Sequence, residues 1–298
     1  MTVKFDYNTF VTRNSGYVSA ETQAKIRQKT LLIAGCGIGS SVAICAARMG
    51  FDKFVLVDGD VVDAHNLNRQ FYDFADIGKP KVDGLKDKIL RINPEASVEA
   101  IRAYLTPSNT DEVVAKADIV FDTVDFLDAD AILGLHGSAM KRNLELFTAL
   151  SIGFGAGVLY FPAGSGLSLA SLVQGDVAGA DPNAKAHYAE IFASVVDRIG
   201  KQLDKQVVEQ ISKALTIMED GKPCPASQVA VGSFTIAALA VSMMHDVLDG
   251  RSVPSAPEMV VHSFRNHVTK RINLVTDQQG ALVTHAIRFA ARLKRMFS

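Results

Sequence analysis

The sequence predicts an α/β protein: a mostly parallel sheet flanked by helices, with a helical insertion and C-terminal strands that extend the sheet. Two observations carry this. Short apolar, β-rich runs alternate with stretches of helical period through the first half of the chain, and such alternation builds parallel strands joined by crossover helices. A glycine-rich turn, Gly35-Cys36-Gly37-Ile38-Gly39-Ser40, separates the first such run from the first of these helices. In this class of sheet that turn is where a ligand sits.

Taken in order, Thr30–Ala34 is a short β-rich run that ends at the glycines, and Ser40–Met49 is the helix after it. Phe54–Val57 is a second buried strand. Lys79–Ile92 reads as an amphipathic helix, with Val82, Leu85, Ile89 and Ile92 on one face. Val98–Ala103 and Ile119–Asp122 are further strands, Leu127–Met140 is helical, and Leu146–Leu150 is a strand. Beyond 150 the texture changes to glycine-rich sequence holding a strand at Val158–Phe161. From Asp181 to Asp220, apolar residues recur every fourth position, including Ile191, Val195 and Ile199. That spacing gives a stripe that drifts around a helix, so a bend or break is expected. The loop Gly221–Pro225 stops it. Gln228–Leu248 is a strongly apolar helix, Met259–Ser263 and Thr269–Val275 are late strands, and Ala281–Phe297 is a basic last helix.

Composition bounds the function. The 298 residues carry 31 basic and 32 acidic side chains. A chain so balanced has no bulk attraction for nucleic acid or anionic lipid. The basic residues Arg288, Arg292, Lys294 and Arg295 suit the C-terminal end of a helix dipole. Of three cysteines, none form a CxxC pair, which excludes a four-thiolate zinc site, and their scarcity suggests a reducing compartment. The first residues do not read as a signal peptide. The longest uncharged apolar stretch, Val229–Met244, falls short of the roughly 20 residues of a membrane span. The expectation is a soluble cytoplasmic protein.

The glycine turn lets backbone approach a phosphate at a helix N-terminus, where free N–H groups and the dipole favour an anion. Asp58, about 20 residues on and at the end of the next strand, suits a ribose hydroxyl. By itself this Rossmann-like pair fits NAD, FAD, S-adenosylmethionine or ATP. The residues after Asp58 are more selective. Asp58-Gly-Asp60 precedes Asn66-Leu-Asn-Arg69-Gln70 and then Gly78-Lys-Pro-Lys81. A dinucleotide has little use for several cations beyond the helix terminus, whereas a triphosphate needs Arg, Lys and Mg²⁺ to neutralise charge. Each cation alone is also compatible with a solvated surface. No GxxxxGK[ST] sequence is present, so any ATP site is built differently.

Gly-x-Gly, Asp-x-Asp, Asn-Leu-x-Arg-Gln and Gly-x-Pro-Lys in this order resemble the ThiF/MoeB/HesA superfamily of adenylating proteins, most clearly from Arg13 to Leu150. The resemblance implies one adenylation domain over 1–298. Its nucleotide-binding part would be 1–163, its helical crossover or insertion 164–226, and its completing part 227–298. It further implies that Gly35, Gly37 and Gly39 cradle phosphate, Asp58 binds ribose, and Asp60, Asn66 and Gln70 line the nucleotide site. Arg69 and Lys81 would hold the triphosphate of ATP, Asp125 would bind Mg²⁺, and Arg13 would reach into the partner's site of a homodimer. The implied substrate is a carboxylate at the C-terminus of a ubiquitin-like protein or a peptide. A carboxylate on a small molecule or tRNA base, and a catalytically silent binding subunit, are the alternatives. Two departures stand out: the glycine loop is one residue short, and Phe126 follows Asp125 where asparagine is common. Cys224 lies between two prolines and is either an acyl-accepting thiol, as in some relatives, or an incidental small residue.

Overall fold

The computed structural model describes residues 4–172, 195, 198–199, 227–276 and 291. The readings over 281–297 apart from residue 291, at Cys224 and over most of 181–220 fall outside these residues. Of the residues in the stripe that recurs every fourth position, Val195 and Ile199 are described, and both are buried.

Eight strands form one sheet in the order β3-β2-β1-β4-β5-β6-β7-β8. The strands β1 (Thr30–Ala34), β2 (Lys53–Val57), β3 (Ser97–Ile101), β4 (Ile119–Asp122) and β5 (Glu145–Ser151) are parallel. β6 (Gly155–Phe161), β7 (Glu258–Ser263) and β8 (Val268–Asn273) continue it as an antiparallel meander. The expected mostly parallel sheet with late strands extending it is therefore observed.

Both faces of the parallel half are apolar because crossover helices cover both. With side chains alternating along each strand, Leu31, Ile33, Phe54, Leu56 and Phe121 share one core, and Leu32, Ala34, Val55, Val57 and Val120 share the other. The first core is closed by α3 (Gly39–Met49), α4 (Lys81–Ile92) and α7 (Ala230–Leu248), through residues such as Val42, Leu85 and Ile236. The second is closed by α5 (Thr110–Val114) and α6 (Ala129–Lys141), through Val113 and Leu135.

Several boundaries differ from the sequence reading for local reasons. The helix expected from Lys79 starts at Lys81, because Pro80 takes the cap position with extended ψ. The helix expected from Leu127 starts at Ala129, because the Asp128 carboxylate accepts the Ala131 N–H at 3.2 Å. Three short helical elements lie outside the sequence expectation: α1 (Tyr7–Phe10), α2 (Ala20–Gln28) and α5. In α2 only Thr22 and Ile26 are buried, so it lacks a clear apolar stripe.

At 19 residues, α7 is long and apolar enough to cross a membrane by length and composition alone, although the uncharged stretch within it is shorter. Its packing identifies it as a core helix. Gly232, Ile236, Ala240 and Met244 are buried in its interface with α3, β5 and β6. A Cβ at Gly232 would lie 2.3 Å from Ser151 Oγ and 2.8 Å from the Gly153 carbonyl oxygen, so only glycine permits this approach.

Candidate active site

The parallel strands β1, β2 and β4 all end at one edge, and the glycine loop is stitched between them. Gly35 adopts φ +88°, and its N–H donates to the Val57 carbonyl at 2.9 Å. On the other side, the Thr123 N–H donates to the Ala34 carbonyl at 2.9 Å, and Thr123 Oγ1 donates to the Gly35 carbonyl at 2.7 Å. A Cβ on Gly35 would stand 2.4 Å from the Thr123 carbonyl oxygen. At Gly39 it would stand 2.5 Å from Thr123 Oγ1 and 2.7 Å from Ile33 Cγ2. The first turn of α3 is thus pressed onto the strand ends, with its positive dipole end at the sheet edge. A Cβ at Gly37 would meet the Gln70 side-chain amide at 3.3 Å, so Gln70 lies over the loop.

Asp58 follows β2 and closes the loop from below. Its Oδ2 accepts the Cys36 N–H at 2.7 Å and its Oδ1 accepts the Asp60 N–H at 2.8 Å. Burial nevertheless raises its pKa, with Lys81 acting in the opposite direction. Lys81, at the start of α4, is only 7% exposed. Its Nζ donates to Asp60 Oδ2 at 2.6 Å, and its backbone N–H donates to the Asp60 carbonyl at 2.9 Å. Asp60 Oδ1 accepts the Tyr104 hydroxyl at 2.6 Å. Burial acts to raise the Asp60 pKa, but the Lys81 and Tyr104 hydrogen bonds outweigh it and hold the carboxyl below its usual range. The bond to Asp60 in turn pushes the Tyr104 hydroxyl up to about 12. The Tyr104 ring lies on Gly59, where a Cβ would meet it at 2.6 Å. Beneath the loop, the buried Tyr72 hydroxyl shares its one proton between the Cys36 carbonyl at 2.7 Å and the Lys81 carbonyl at 3.2 Å, tying the loop to α4.

The remaining predicted residues are placed differently. Asn66 is buried in a 3₁₀ turn (Ala64–Asn66), and its Oδ1 accepts the Asp63 N–H at 2.9 Å, so that atom serves the turn itself. Gln70 is buried, and its Oε1 has no hydrogen-bond partner among the described residues. Arg69 is half-buried, which lowers its pKa, and it bonds Gln228 just before α7. Asp125 is exposed on the segment after β4, where its Oδ1 accepts the Leu127 N–H at 3.0 Å. Arg13 is exposed on the 3₁₀ turn Thr12–Asn14 and shares no hydrogen bond or ion pair with the others among the described residues.

Beside this edge lies a polar cluster that sequence reading missed. Asp122 and His136 are 3% and 2% exposed, and they pair at 3.0 Å. Thr148 Oγ1 donates to the same Asp122 oxygen, and the other oxygen accepts the Val124 N–H, both at 3.0 Å. Asp122 therefore shapes the segment that carries Thr123 and Asp125. Tyr104, Thr123 and Gln228 were also missed, and an isolated aromatic in the polar stretch 102–109 was the one visible signal for Tyr104.

No group of three or more His, Cys, Asp or Glu suited to a metal occurs among the described residues. Asp125 fits a magnesium ion that takes most of its ligands from phosphate and water, as Mg²⁺ commonly does. The glycine cradle and the Gln70 side chain, whose Oε1 is unpartnered among the described residues, fit a phosphate-bearing ligand. The Gln70 carbonyl can accept from a hydroxyl, or its NH₂ can donate to a phosphate oxygen with the amide turned over.

A glycine loop at a helix N-terminus, an acid closing it from the next strand and a sheet of this order define the nucleotide-fold α/β class. More narrowly, the chain belongs to the ThiF family, whose family model matches residues 11–281. It is 36% identical over 126 residues to a probable molybdopterin-synthase adenylyltransferase of Porphyra purpurea, covering 40% of this chain and 33% of that protein. It is 30% identical over 140 residues to the sulfur carrier protein ThiS adenylyltransferase of Escherichia coli, covering 46% of this chain and 55% of that one. The chain thus spans between a third and just over half of the length of these curated relatives. Among solved structures, E. coli MccB with ATP superposes with a TM-score of 0.62 at 20% identity, covering 94% of this chain and 75% of that one. That likeness shows the shared fold.

Proposed function

We propose that the protein binds ATP with Mg²⁺ at this edge and adenylates a carboxylate, at the C-terminus of a ubiquitin-like protein or a peptide. The observation that carries the reading is Lys81. It brings an ammonium, oriented by Asp60 at 2.6 Å, to the glycine loop and next to an acid placed for a ribose, where the phosphate chain of a nucleotide would lie. The relatives' names support the acceptor class: one acts on a sulfur carrier protein, and MccB has been solved with N-formylated MccA.

In this reading α3 and the glycine loop hold phosphate, Asp58 holds the ribose, and Arg69 and Lys81 bind the phosphate chain. Asp125 holds Mg²⁺, which supplies charge neutralisation on the phosphate oxygens. A carboxylate oxygen of the acceptor attacks the α-phosphorus. The bond from that phosphorus to the bridging oxygen breaks, and pyrophosphate leaves with the electron pair. No protein base is required, because the carboxylate is already ionised, so the protein's task is positioning and electrostatics. Arg13, exposed and unpaired among the described residues, would complete the site of a second subunit in a homodimer.

The test is nucleotide choice. ATP with Mg²⁺ should raise the melting temperature, and NAD should not. Stabilisation by NAD alone would sink the reading.

A further inference from the structure

We infer that Gln228 is a positioning residue for Arg69, an inference that rests on the proposed phosphate role of that arginine. The guanidinium is held on two sides. Its Nε donates to Gln228 Oε1, and its Nη1 donates to the His65 carbonyl at 2.8 Å and to Asn68 Oδ1 at 2.9 Å. Asn68 Nδ2 also donates to the Gln228 carbonyl at 3.2 Å, so both residues 68 and 69 grip residue 228. Gln228 is 159 residues away in sequence and stands just before α7.

The chemistry of these acceptors is the informative feature. A half-buried arginine with a purely structural role is ordinarily matched by a carboxylate. Here every acceptor among the described residues is neutral: two side-chain amides and one backbone carbonyl. Neutral acceptors fix the plane of the guanidinium without neutralising it. The third nitrogen, Nη2, makes no hydrogen bond among the described residues. Lys81 provides the contrast, because its charge is matched by Asp60 at 2.6 Å. Among the described residues Arg69 is therefore the cation of the two that no carboxylate meets, with Nη2 unpartnered and its rotamer set by neutral acceptors. Such preorganisation strengthens binding because less side-chain freedom is lost on contact.

A tether that merely anchored the start of α7 would serve equally well with a carboxylate at position 228. An orienting acceptor would not, since a carboxylate cancels the charge offered to phosphate. The experiment measures equilibrium affinity of the full chain for Mg²⁺–ATP and for inorganic tripolyphosphate. The proteins are wild type, Gln228→Ala, Gln228→Glu, Arg69→Ala and the Arg69→Ala/Gln228→Ala double variant. Gln228→Ala should weaken both ligands about tenfold, the scale of one charge-assisted hydrogen bond. Gln228→Glu should weaken them at least as much. In the Arg69→Ala background, Gln228→Ala should have no further effect. Wild-type affinity in Gln228→Glu, an equal loss in both backgrounds, or no loss in Gln228→Ala would each overturn the inference. Absence of binding by the wild type would overturn it together with the ATP site. Binding without pyrophosphate exchange would instead defeat only the adenylation reading.

Discussion

Replacing Gly35 with alanine separates two costs that the structure places at one residue. An L-residue at φ +88° carries about 1–2 kcal/mol of left-handed strain. The added Cβ would also lie 2.4 Å from the Thr123 carbonyl oxygen and 2.7 Å from its carbon, which are backbone atoms fixed by β4. Relieving such overpacking costs roughly another 1–3 kcal/mol, so the sum is about 2–5 kcal/mol. Gly250 is the control: it has φ +76° and nothing within 4 Å of its Cβ position, and it lies just after α7. Gly250→Ala should show the strain alone, about 1–2 kcal/mol. Urea unfolding of both variants beside wild type, with equal m-values, gives the difference directly. Gly35→Ala should also lose the stabilisation by ATP, since the loop cannot keep both its bond to Val57 and its place against Thr123. If Gly35→Ala unfolds no more easily than Gly250→Ala, the loop is not clamped between the strand exits.

The same site gives further expected outcomes. Asp125→Ala should abolish magnesium-dependent turnover while leaving the free energy of urea unfolding within about 0.5 kcal/mol of wild type, because the residue is exposed; unchanged turnover would place the metal elsewhere. Mixing Arg13→Ala with Asp125→Ala, each inactive alone, should restore about a quarter of wild-type activity if sites are shared between subunits, because half the dimers are mixed and each has one intact site. No recovery after demonstrated subunit exchange would confine Arg13 to its own chain. The Asp60 carboxyl sits below its ordinary value of 3.8 in the folded protein, so its contribution to stability is present above that pH and is lost as pH falls through the lowered value. The stability gap between wild type and Asp60→Asn should therefore be full above pH 3.8 and shrink steadily as pH falls below it; a gap that does not shrink below that pH would show that the Lys81 pair is not its source.

Much of this was visible in the sequence because it is local. The β1–glycine–α3 unit and Asp58 are set by period and by a motif within about 25 residues. The alternation of strands and helices likewise specifies which segments are buried on two faces. What escaped detection was of two kinds. The α2 helix has little apolar stripe, and its one signal was Ser19, whose hydroxyl accepts the Thr22 N–H at 3.0 Å. Contacts such as Arg69–Gln228 and Asp122–His136–Thr148 join residues brought together only by the sheet order. Nothing in the spacing of Gln228 marks it as a partner of Arg69. The places of Asn66 and Gln70 show the same limit: one Asn66 atom is committed to its own turn, while Gln70 reaches over Gly37 with a carbonyl that has no partner among the described residues.

Acyl adenylation is tested most directly by pyrophosphate exchange. The full chain is incubated with Mg²⁺–ATP, labelled pyrophosphate and a panel of ubiquitin-like and sulfur-carrier proteins. Each is supplied with a free C-terminal carboxylate and again as its C-terminal amide. Label should enter ATP only with a free carboxylate of a cognate acceptor, and should vanish in Lys81→Ala and Asp125→Ala. Label entering ATP equally with the amides, or cleavage of ATP to ADP and phosphate with no exchange under any acceptor, would contradict acyl adenylation.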